Sequence, residues 1–175
     1  MIPIHVMPDT PTQAFLTALQ QQGFAGEIDT SAAQRAVYAT DNSIYERPPQ
    51  AIVCPQHVAD LQVLTRLLAE ERFRGVVVTA RGGGTGTNGQ SLTEGIVVDV
   101  SRHMNHILSI DVAKRQVRVQ AGVVKDQLNR ALKPHGLFFA PELSTSNRAT
   151  IGGMVNTDAS GQGSCTYGKT RDHVL

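Results

Sequence analysis

The early part of the chain spaces its apolar residues as amphipathic helices do. Thr10-Pro11-Thr12 is typical of a helix start, and an apolar stripe follows it as far as Gly23. Between Val58 and Leu68 apolar residues again recur every three or four positions, which places them on one helix face. Helices are therefore predicted over residues 10–23, 31–39, 57–73 and 124–135, with a short helical turn over 150–156.

Short β-branched runs predict strands between these helices. Two of the runs flank Asp111-Val112-Ala113-Lys114 and predict a hairpin. Because the hairpin departs from a strict alternation of strand and helix, the predicted fold class is α+β. Val174 and Leu175 indicate the start of a further strand, so we expect a chain truncated at its C-terminus. The predicted strands cover residues 51–54, 76–80, 96–100, 107–110, 116–121 and 137–140, and a loop covers 41–50.

Composition and charge exclude several classes of function. Hydrophobic residues make up 41% of the 175 residues and charged residues 18%, as in ordinary globular proteins. The formal net charge is +1 with scattered basic residues, so no face suits nucleic acid. No apolar run approaches the roughly 20 residues of a membrane span, and Met1 to Met7 lacks the features of a secretory signal. We therefore expect a cytoplasmic protein in which Cys54 and Cys165 are reduced, structural thiols.

Glycines crowd the stretch from Arg81 to Gly89, which reads Arg-Gly-Gly-Gly-Thr-Gly-Thr-Asn-Gly. Consecutive glycines can turn amide N–H groups inward into a nest for an anion, and they let a phosphate touch the backbone. With short hydrogen-bond donors and one arginine at its entrance, such a loop suits the pyrophosphate of a dinucleotide. A ligand-free turn between two strands is the simpler alternative, but it needs only one or two glycines.

Two other phosphate-binding loops are excluded by context. The segment Gly84 to Gly89 matches GxGxxG, but that motif requires a helix directly after it. Only residues 90–94 separate this loop from Gly95 and the next predicted strand, so the match is incidental. A Walker loop would end in Gly-Lys-Ser/Thr, and this loop contains no lysine.

A second side-chain-poor stretch runs from Pro141 to Gly161 and is rich in small hydroxyl residues. Loops of this length in a compact domain are uncommon unless they have a function. Its hydroxyls can form neutral hydrogen bonds, and Gly152 and Gly153 allow a ligand to approach the backbone. We therefore expect the bends at Arg81 and Pro141 to fold towards each other and to hold one extended ligand.

Four motifs occur in order along the chain: the Arg81–Gly89 loop, Ile151-Gly-Gly-Met, Thr157-Asp-Ala-Ser-Gly161 and Tyr167-Gly168. Together they resemble the FAD-binding domain of the vanillyl-alcohol oxidase, or PCMH-type, flavoprotein family, and they are most similar to its D-lactate and D-2-hydroxyglutarate dehydrogenase branch. The resemblance covers 51–175 almost continuously. The segments 40–45 and 141–148 are similar to large bacterial members fused to an iron–sulfur segment.

The resemblance implies a PCMH-type fold of two α/β subdomains with FAD between them. Residues 1–47 would form an N-terminal helical segment, and residues 48–175 an incomplete FAD-binding domain. The implied contacts to the pyrophosphate are Arg81, Gly82, Gly83, Gly84, Thr85, Gly86 and Thr87. Those along the adenosine and ribityl region are Pro141, Ser144, Ser146 and Thr150, and those on the flavin side are Gly152, Gly153, Asn156, Ala159, Ser160 and Gly161.

Two departures from the family pattern bear on the cofactor. Thr85 stands where members that attach FAD covalently carry a histidine, so the resemblance implies non-covalent FAD. Asp158 stands where close relatives often read asparagine, and the role of this carboxylate stays open.

The implied reaction transfers a hydride from the hydroxyl-bearing carbon of a D-2-hydroxy acid to FAD. A separate electron acceptor is the implied partner of the reduced cofactor. In the family, the base and any metal-binding histidines lie beyond this stretch of chain. No catalytic or metal-binding residue is therefore assigned here, and an iron–sulfur cluster would also lie outside the chain. The alternatives left open are a UDP-N-acetylmuramate-type flavin reductase and a non-catalytic nucleotide-binding module.

The remaining candidates have simpler interpretations. His103 and His106 could form a metal pair, but no third ligand is near in sequence, and a surface turn is expected. Tyr167 is expected to pack rather than stack on the flavin, and the charges over 169–173 are expected to be solvated. Asp41 and Ser43 resemble a family segment near the flavin, as further candidates.

Overall fold

The computed structural model describes residues 8–175; residues 1–7, to which the exclusion of a secretory signal applies, lie outside the described part. The chain forms two compact units, Met1–His103 and Met104–Leu175. The helices are α1 (Thr10–Gln21), α2 (Ala32–Tyr38), α3 (Val58–Leu68), α4 (Lys125–Leu132), α5 (Ile151–Thr157) and α6 (Ser164–Tyr167). The strands are β1 (Glu27–Asp29), β2 (Ala51–Cys54), β3 (Val78–Arg81), β4 (Ile96–Asp99), β5 (Ile107–Asp111) and β6 (Gln116–Val119). Short 3-10 turns cover Glu71–Phe73, Lys133–His135 and Thr170–His173.

The first unit is built on a four-stranded sheet in the order β1-β2-β4-β3. Strand β1 is antiparallel to β2, whereas β2, β4 and β3 run parallel, with Val97 opposite both Ile52 and Thr79. Every residue of β2 and β4 is buried, as expected for central parallel strands. Helices α1 and α3 pack in the same core, where the rings of Phe15 and Phe73 meet edge to face at 5.3 Å. Because β2, β4 and β3 are parallel, their carboxyl ends lie at one common edge of the sheet.

The second unit surrounds a separate core. The hairpin β5–β6 contains a register shift between Ile107 and Ser109. Its inner residues pack with α4 and α5 around Val123, Leu128 and Met154. Gly136 ends the helical segment in the left-handed region at φ 67°, where glycine is favoured.

The structure confirms the α+β class and most of the predicted elements, and it corrects four of them. Residues 137–140 are not a strand, because the Asn129 side chain bonds to the backbone of Phe139 where a partner strand would. It accepts from the Phe139 N–H at 2.7 Å and donates to the Phe139 carbonyl at 3.3 Å. Val174 and Leu175 pair with no strand among the described residues. The helix predicted over 57–73 ends at Leu68, and a separate 3-10 turn follows over Glu71–Phe73, whereas the helix predicted over 124–135 continues beyond Leu132 as a 3-10 turn.

Two short elements escaped prediction. Strand β1 contains one apolar residue, Ile28, and it is defined by pairing with β2 rather than by its own pattern. Helix α6 is only four residues long. The boundary between residues 47 and 48 stays a prediction; in the first unit, α1 and β1 share the core and the sheet with the strands that follow.

Candidate functional site

The glycine loop begins where β3 ends, at the carboxyl edge of the parallel strands. Ligands of open parallel sheets bind at this kind of edge. Because β3 and β4 are parallel neighbours, the chain must return along the strands before β4 begins at Ile96. It does so without a helix, in agreement with the exclusion of the GxGxxG interpretation.

Two glycines of this loop adopt backbone angles that other residues rarely take. Gly84 has φ 63° and Gly89 has φ 70°. A Cβ atom on Gly84 would lie 2.6 Å from Nη2 of Arg81, and a Cβ atom on Gly86 would overlap the side chain of Gln90. The loop therefore needs the conformational freedom of glycine at Gly84 and Gly89.

The amides of the loop are available to a ligand. Among the described residues, none accepts a hydrogen bond from the N–H groups of Gly82, Gly84, Thr85, Gly86 or Thr87. These residues are only partly buried, apart from the exposed Thr87. Successive N–H donors beside a glycine backbone are the donor set that a pyrophosphate requires, so the residues present fit the phosphates of FAD.

A segment from upstream in the chain, residues 40–50, contacts the glycine loop and the residues that lead from it to β4. The Asn42 N–H donates to the Gly84 carbonyl at 3.1 Å, and the Gln50 N–H donates to the Gly95 carbonyl at 2.7 Å. Between them, the Ser91 hydroxyl donates to Asp41 at 2.9 Å. The motif resemblance over 40–45 was the only signal in the sequence for this arrangement.

Asp41 joins this segment to the loop as a carboxylate. Burial alone would raise its pKa, but hydrogen bonds from Ser43 and Ser91 and the charge of Arg81 lower the pKa below its ordinary value. The Ser43 N–H donates to Asp41 at 2.8 Å. The group is therefore ionised at neutral pH; its Oδ1 holds the turn at Ser43, and its Oδ2 ties that turn to Ser91, just after the loop.

The Arg81 guanidinium supports the loop from inside the first unit. Its Nη2 donates to the Thr40 carbonyl at 2.8 Å, and its central carbon lies 5.2 Å from the centroid of the Tyr38 ring. Arg81, at the loop entrance, therefore helps to shape the loop.

In the second unit, several residues predicted to contact FAD also have tasks within the chain. Thr150 caps α5 by accepting from the Gly153 N–H at 3.3 Å. A Cβ atom on Gly152 would lie 2.8 Å from that of Ala121, and one on Gly161 would overlap the Glu142 carbonyl. The close approach at these two glycines is therefore an approach of the chain to itself.

The other predicted contacts in the second unit differ in how accessible they are to a ligand. The side chains of Ser144, Asn156 and Ser160 are exposed, and Ser146 is partly buried. A Cβ atom on Gly153 would meet only the Thr150 hydroxyl, at 3.2 Å. Pro141 is buried, and the Ala159 carbonyl accepts from the backbone N–H and the hydroxyl of Thr170.

Asp158 has a structural role that its position in the sequence did not reveal. It ends α5 with φ 48°, in the left-handed region that aspartate and asparagine tolerate. Its carboxylate accepts from the Arg171 N–H at 3.1 Å and pairs with the Arg171 guanidinium at 2.9 Å. Lys169 lies 3.9 Å away. These contacts close the ends of the segment 158–171 on each other.

The other candidates have contacts of their own. Nε2 of His103 lies 2.7 Å from Glu27, and Nδ1 of His106 lies 3.0 Å from the Gln120 side chain. Tyr167 is partly exposed and meets the Phe138 ring edge to face at 5.9 Å. Within residues 8–175 no group of three or more acidic, His or Cys side chains could hold a metal ion.

Both cysteines of the chain are free. Burial, followed by the charge of Asp99, raises the pKa of the Cys54 thiol to about 11, which makes it an unreactive core residue. None of the helices in the described range combines the length and the apolar character needed to cross a bilayer.

Comparison with known proteins identifies relatives across almost the whole chain. The family described as "FAD binding domain" matches residues 49–175. D-2-hydroxyglutarate dehydrogenase from Pseudomonas putida is 68% identical over 97% of this chain, and the Escherichia coli enzyme of the same name is 62% identical over 92%. The chain spans 17% and 16% of the length of these two relatives.

Solved structures share the fold at low sequence identity. An alkyldihydroxyacetonephosphate synthase aligns with a TM-score of 0.82 and 21% identity, over 95% of this chain and 36% of its own. The 6-hydroxy-D-nicotine oxidase of Arthrobacter nicotinovorans aligns with a TM-score of 0.71 and 23% identity, over 86% and 32%.

Proposed function

The chain belongs to the family of FAD-binding domains, and from this premise we propose that it is the FAD-binding part of a dehydrogenase that oxidises a D-2-hydroxy acid to the 2-oxo acid. The observation that carries the proposal is the glycine loop after β3, in which the N–H groups of Gly82, Gly84, Thr85, Gly86 and Thr87 have no acceptor among the described residues. Relatives that are 62–68% identical are named D-2-hydroxyglutarate dehydrogenases, which favours D-2-hydroxyglutarate over D-lactate as the substrate.

In this proposal the amides from Gly82 to Thr87 bind the pyrophosphate of non-covalent FAD, and Arg81 holds the loop that presents them. Pro141, Ser144, Ser146 and Thr150 serve the adenosine and ribityl region. Gly152, Gly153, Asn156, Ala159, Ser160 and Gly161 serve the flavin side, with Gly152 and Gly161 acting by keeping the backbone in place. Bound FAD would accept a hydride from the substrate carbon that bears the hydroxyl.

The residues of this chain contribute binding and orientation. Thr85 has a hydroxyl side chain that forms no covalent bond to a flavin. The proposal also includes a separate electron acceptor and a catalytic base elsewhere in the protein. It places the protein in the cytoplasm.

The test uses the full-length protein. We expect it to be yellow, to show a flavin absorbance spectrum and to release FAD on acid precipitation. With an artificial dye as acceptor, kcat/KM for D-2-hydroxyglutarate should exceed that for D-lactate by at least about tenfold, equivalent to about 1.4 kcal/mol in the transition state. A full-length protein that stays colourless after incubation with FAD contradicts the proposal.

A matched pair of variants tests the loop itself. Gly84→Ala places a side chain at a positive φ, which costs roughly 1–2 kcal/mol, and beside the Arg81 guanidinium. Binding of FAD must then restore the disfavoured loop, so its Kd should rise roughly tenfold. Gly75 has no neighbour within 4 Å of an added Cβ, and Gly75→Ala should leave the Kd unchanged. Equal Kd values for the two variants would remove the loop from the site.

A further inference from the structure

We propose that Tyr38 is a positioning residue for the cofactor, which holds the Arg81 guanidinium and through it the first turn of the glycine loop. The inference rests on the proposed function of that loop as the pyrophosphate site. Tyr38 is the last residue of α2 and lies well before the loop in sequence. No pattern in the sequence connects it with cofactor binding.

The ring of Tyr38 is fixed by its hydroxyl group. The phenol donates to Oδ2 of Asp99 at 2.5 Å, and Oδ1 of Asp99 accepts from both the N–H and the hydroxyl of Ser101 at 2.7 Å. Asp99 ends β4 and is only 5% exposed. A buried carboxylate with both oxygens engaged is a rigid anchor, and its hydrogen bonds are of the strong, charge-assisted kind.

The phenol stays a donor over the whole neutral range. Burial, followed by the hydrogen bond to Asp99 and the negative charge of that residue, raises the pKa of Tyr38 above its ordinary value. The Tyr38 hydroxyl therefore keeps its proton near neutral pH.

The face of the anchored Tyr38 ring contacts the Arg81 guanidinium. The Arg81 guanidinium carbon lies 5.2 Å from the Tyr38 centroid, within the range of a cation–π contact. Its Nη2 reaches the Thr40 carbonyl, and a Cβ atom on Gly84 would lie 2.6 Å from that same nitrogen. The guanidinium thus occupies the space beneath the first positive-φ turn of the loop. Because Arg81 and Asp99 are opposite in the β3–β4 register, this support runs directly from the buried sheet edge to the loop.

Loss of the ring should therefore act on affinity rather than on the reaction. Without it the guanidinium gains freedom, the loop spends less time in the binding conformation, and the apparent Kd rises by the inverse of the competent fraction. Once FAD is saturating, the loop is held by its ligand, and kcat should be unchanged.

The experiment uses apoprotein prepared from the full-length enzyme, with FAD and ADP as the probes. Tyr38→Phe keeps the ring but loses its anchor, and Tyr38→Leu also loses the cation–π face. We expect the Kd of both probes to rise about threefold in the first and about tenfold in the second, because contacts of these kinds are worth about 0.5–2 kcal/mol. Val37, which precedes Tyr38 on α2 and is 66% exposed, provides the control Val37→Ala, which should stay within about twofold of wild type.

A double-mutant cycle separates positioning from general stabilisation. Arg81→Lys keeps the charge but loses the planar stacking group. If Tyr38 acts through Arg81, combining Tyr38→Leu with Arg81→Lys should weaken binding little more than the stronger single variant. Additive effects, or unchanged Kd values in both Tyr38 variants, overturn the inference. Should Tyr38→Leu fail to fold, Tyr38→Phe completes the same cycle.

The Gly84→Ala variant distinguishes a failure of the Tyr38 inference from a failure of the proposed function. If it weakens FAD binding while the Tyr38 variants do not, only the positioning role is lost. If it too leaves the Kd unchanged, the loop is not the pyrophosphate site.

Discussion

At the residue scale, the glycines show what a sequence can and cannot reveal. A cluster of glycines indicates that something approaches the backbone closely, but it does not identify what approaches. For Gly84 the neighbour is the Arg81 side chain beneath a partly buried turn, whereas for Gly152 it is the backbone and Cβ of Ala121. A close approach to the backbone is confirmed at both places, and the approach of a ligand stays a prediction. The division between ligand contact and chain packing required the fold.

Asp158 provides a test of a single residue whose role the sequence left open. Asparagine at this position keeps the tolerance for positive φ and an acceptor for the Arg171 N–H, but it loses the ion pairs. Alanine loses all three, and the left-handed conformation alone costs it roughly 1–2 kcal/mol. Since exposed ion pairs contribute little, Asp158→Ala should open the segment 158–171 much more than Asp158→Asn.

Trypsin measures this opening, because Lys169 and Arg171 lie in the closed segment. In the full-length protein, Asp158→Ala should raise the rate of cleavage at these two sites roughly tenfold, equivalent to about 1.4 kcal/mol. Asp158→Asn should raise it less than about threefold. Cleavage at the exposed Arg72 serves as the internal standard. Equal acceleration in both variants would mean that the ion pairs, rather than the backbone angle, close the segment.

At the scale of elements, the start of α3 depends on one buried carboxylate. Asp60 is 1% exposed and accepts from the N–H groups of Ala25 and Gln56 at 2.8 Å and of His57 at 3.3 Å. It thereby ties α3 to the chain that leads into β1. Asp60→Ala should destabilise this region by about 2 kcal/mol, because it removes the charged acceptor of three partly buried hydrogen bonds, and a hydrogen bond to a charged group is worth about 1.5–3 kcal/mol.

Native-state hydrogen exchange of the full-length protein measures that loss locally. Protection of the α3 and β1 amides should fall in Asp60→Ala. The exposed Glu71, whose side chain pairs with Arg74 three residues later, provides the control Glu71→Ala, with protection unchanged. Unaltered protection in Asp60→Ala would show that water replaces the carboxylate without cost.

Elements with a strong pattern of their own were predictable, and elements defined by their neighbours were not. The buried runs of β2 and β4 and the apolar face of α3 are visible in the sequence. Strand β1 exists because its three residues pair with β2. The run 137–140 has the composition of a strand, yet Asn129 satisfies the backbone of Phe139 from a helix. Such a side chain in place of a partner strand leaves no local signal.

At the scale of the whole molecule, the site is assembled from segments distant in sequence. In the first unit, α2 supplies Tyr38, the following segment supplies Thr40 and Asp41, and the ends of β3 and β4 supply Arg81 and Asp99. Motif spacing located the glycine loop, but the residues that shape it come from the stretch predicted to be a separate N-terminal segment. They could be found only once the strands were placed side by side.

Cofactor binding should also be visible in the stability of the whole protein. A ligand that binds only the folded state stabilises it by RT ln(1 + [L]/Kd), which is about 2.7 kcal/mol at a hundredfold excess over Kd. FAD should therefore raise the melting temperature of the apoprotein in a concentration-dependent way. At the same FAD concentration, a tenfold weaker Kd in Gly84→Ala lowers this stabilisation by about 1.4 kcal/mol, and Gly75→Ala does not. Thermal unfolding of apoprotein over a range of FAD concentrations measures both shifts. Identical FAD-dependent shifts in the two variants would show that the pyrophosphate is bound elsewhere, since the two changes differ only in whether they disturb the glycine loop.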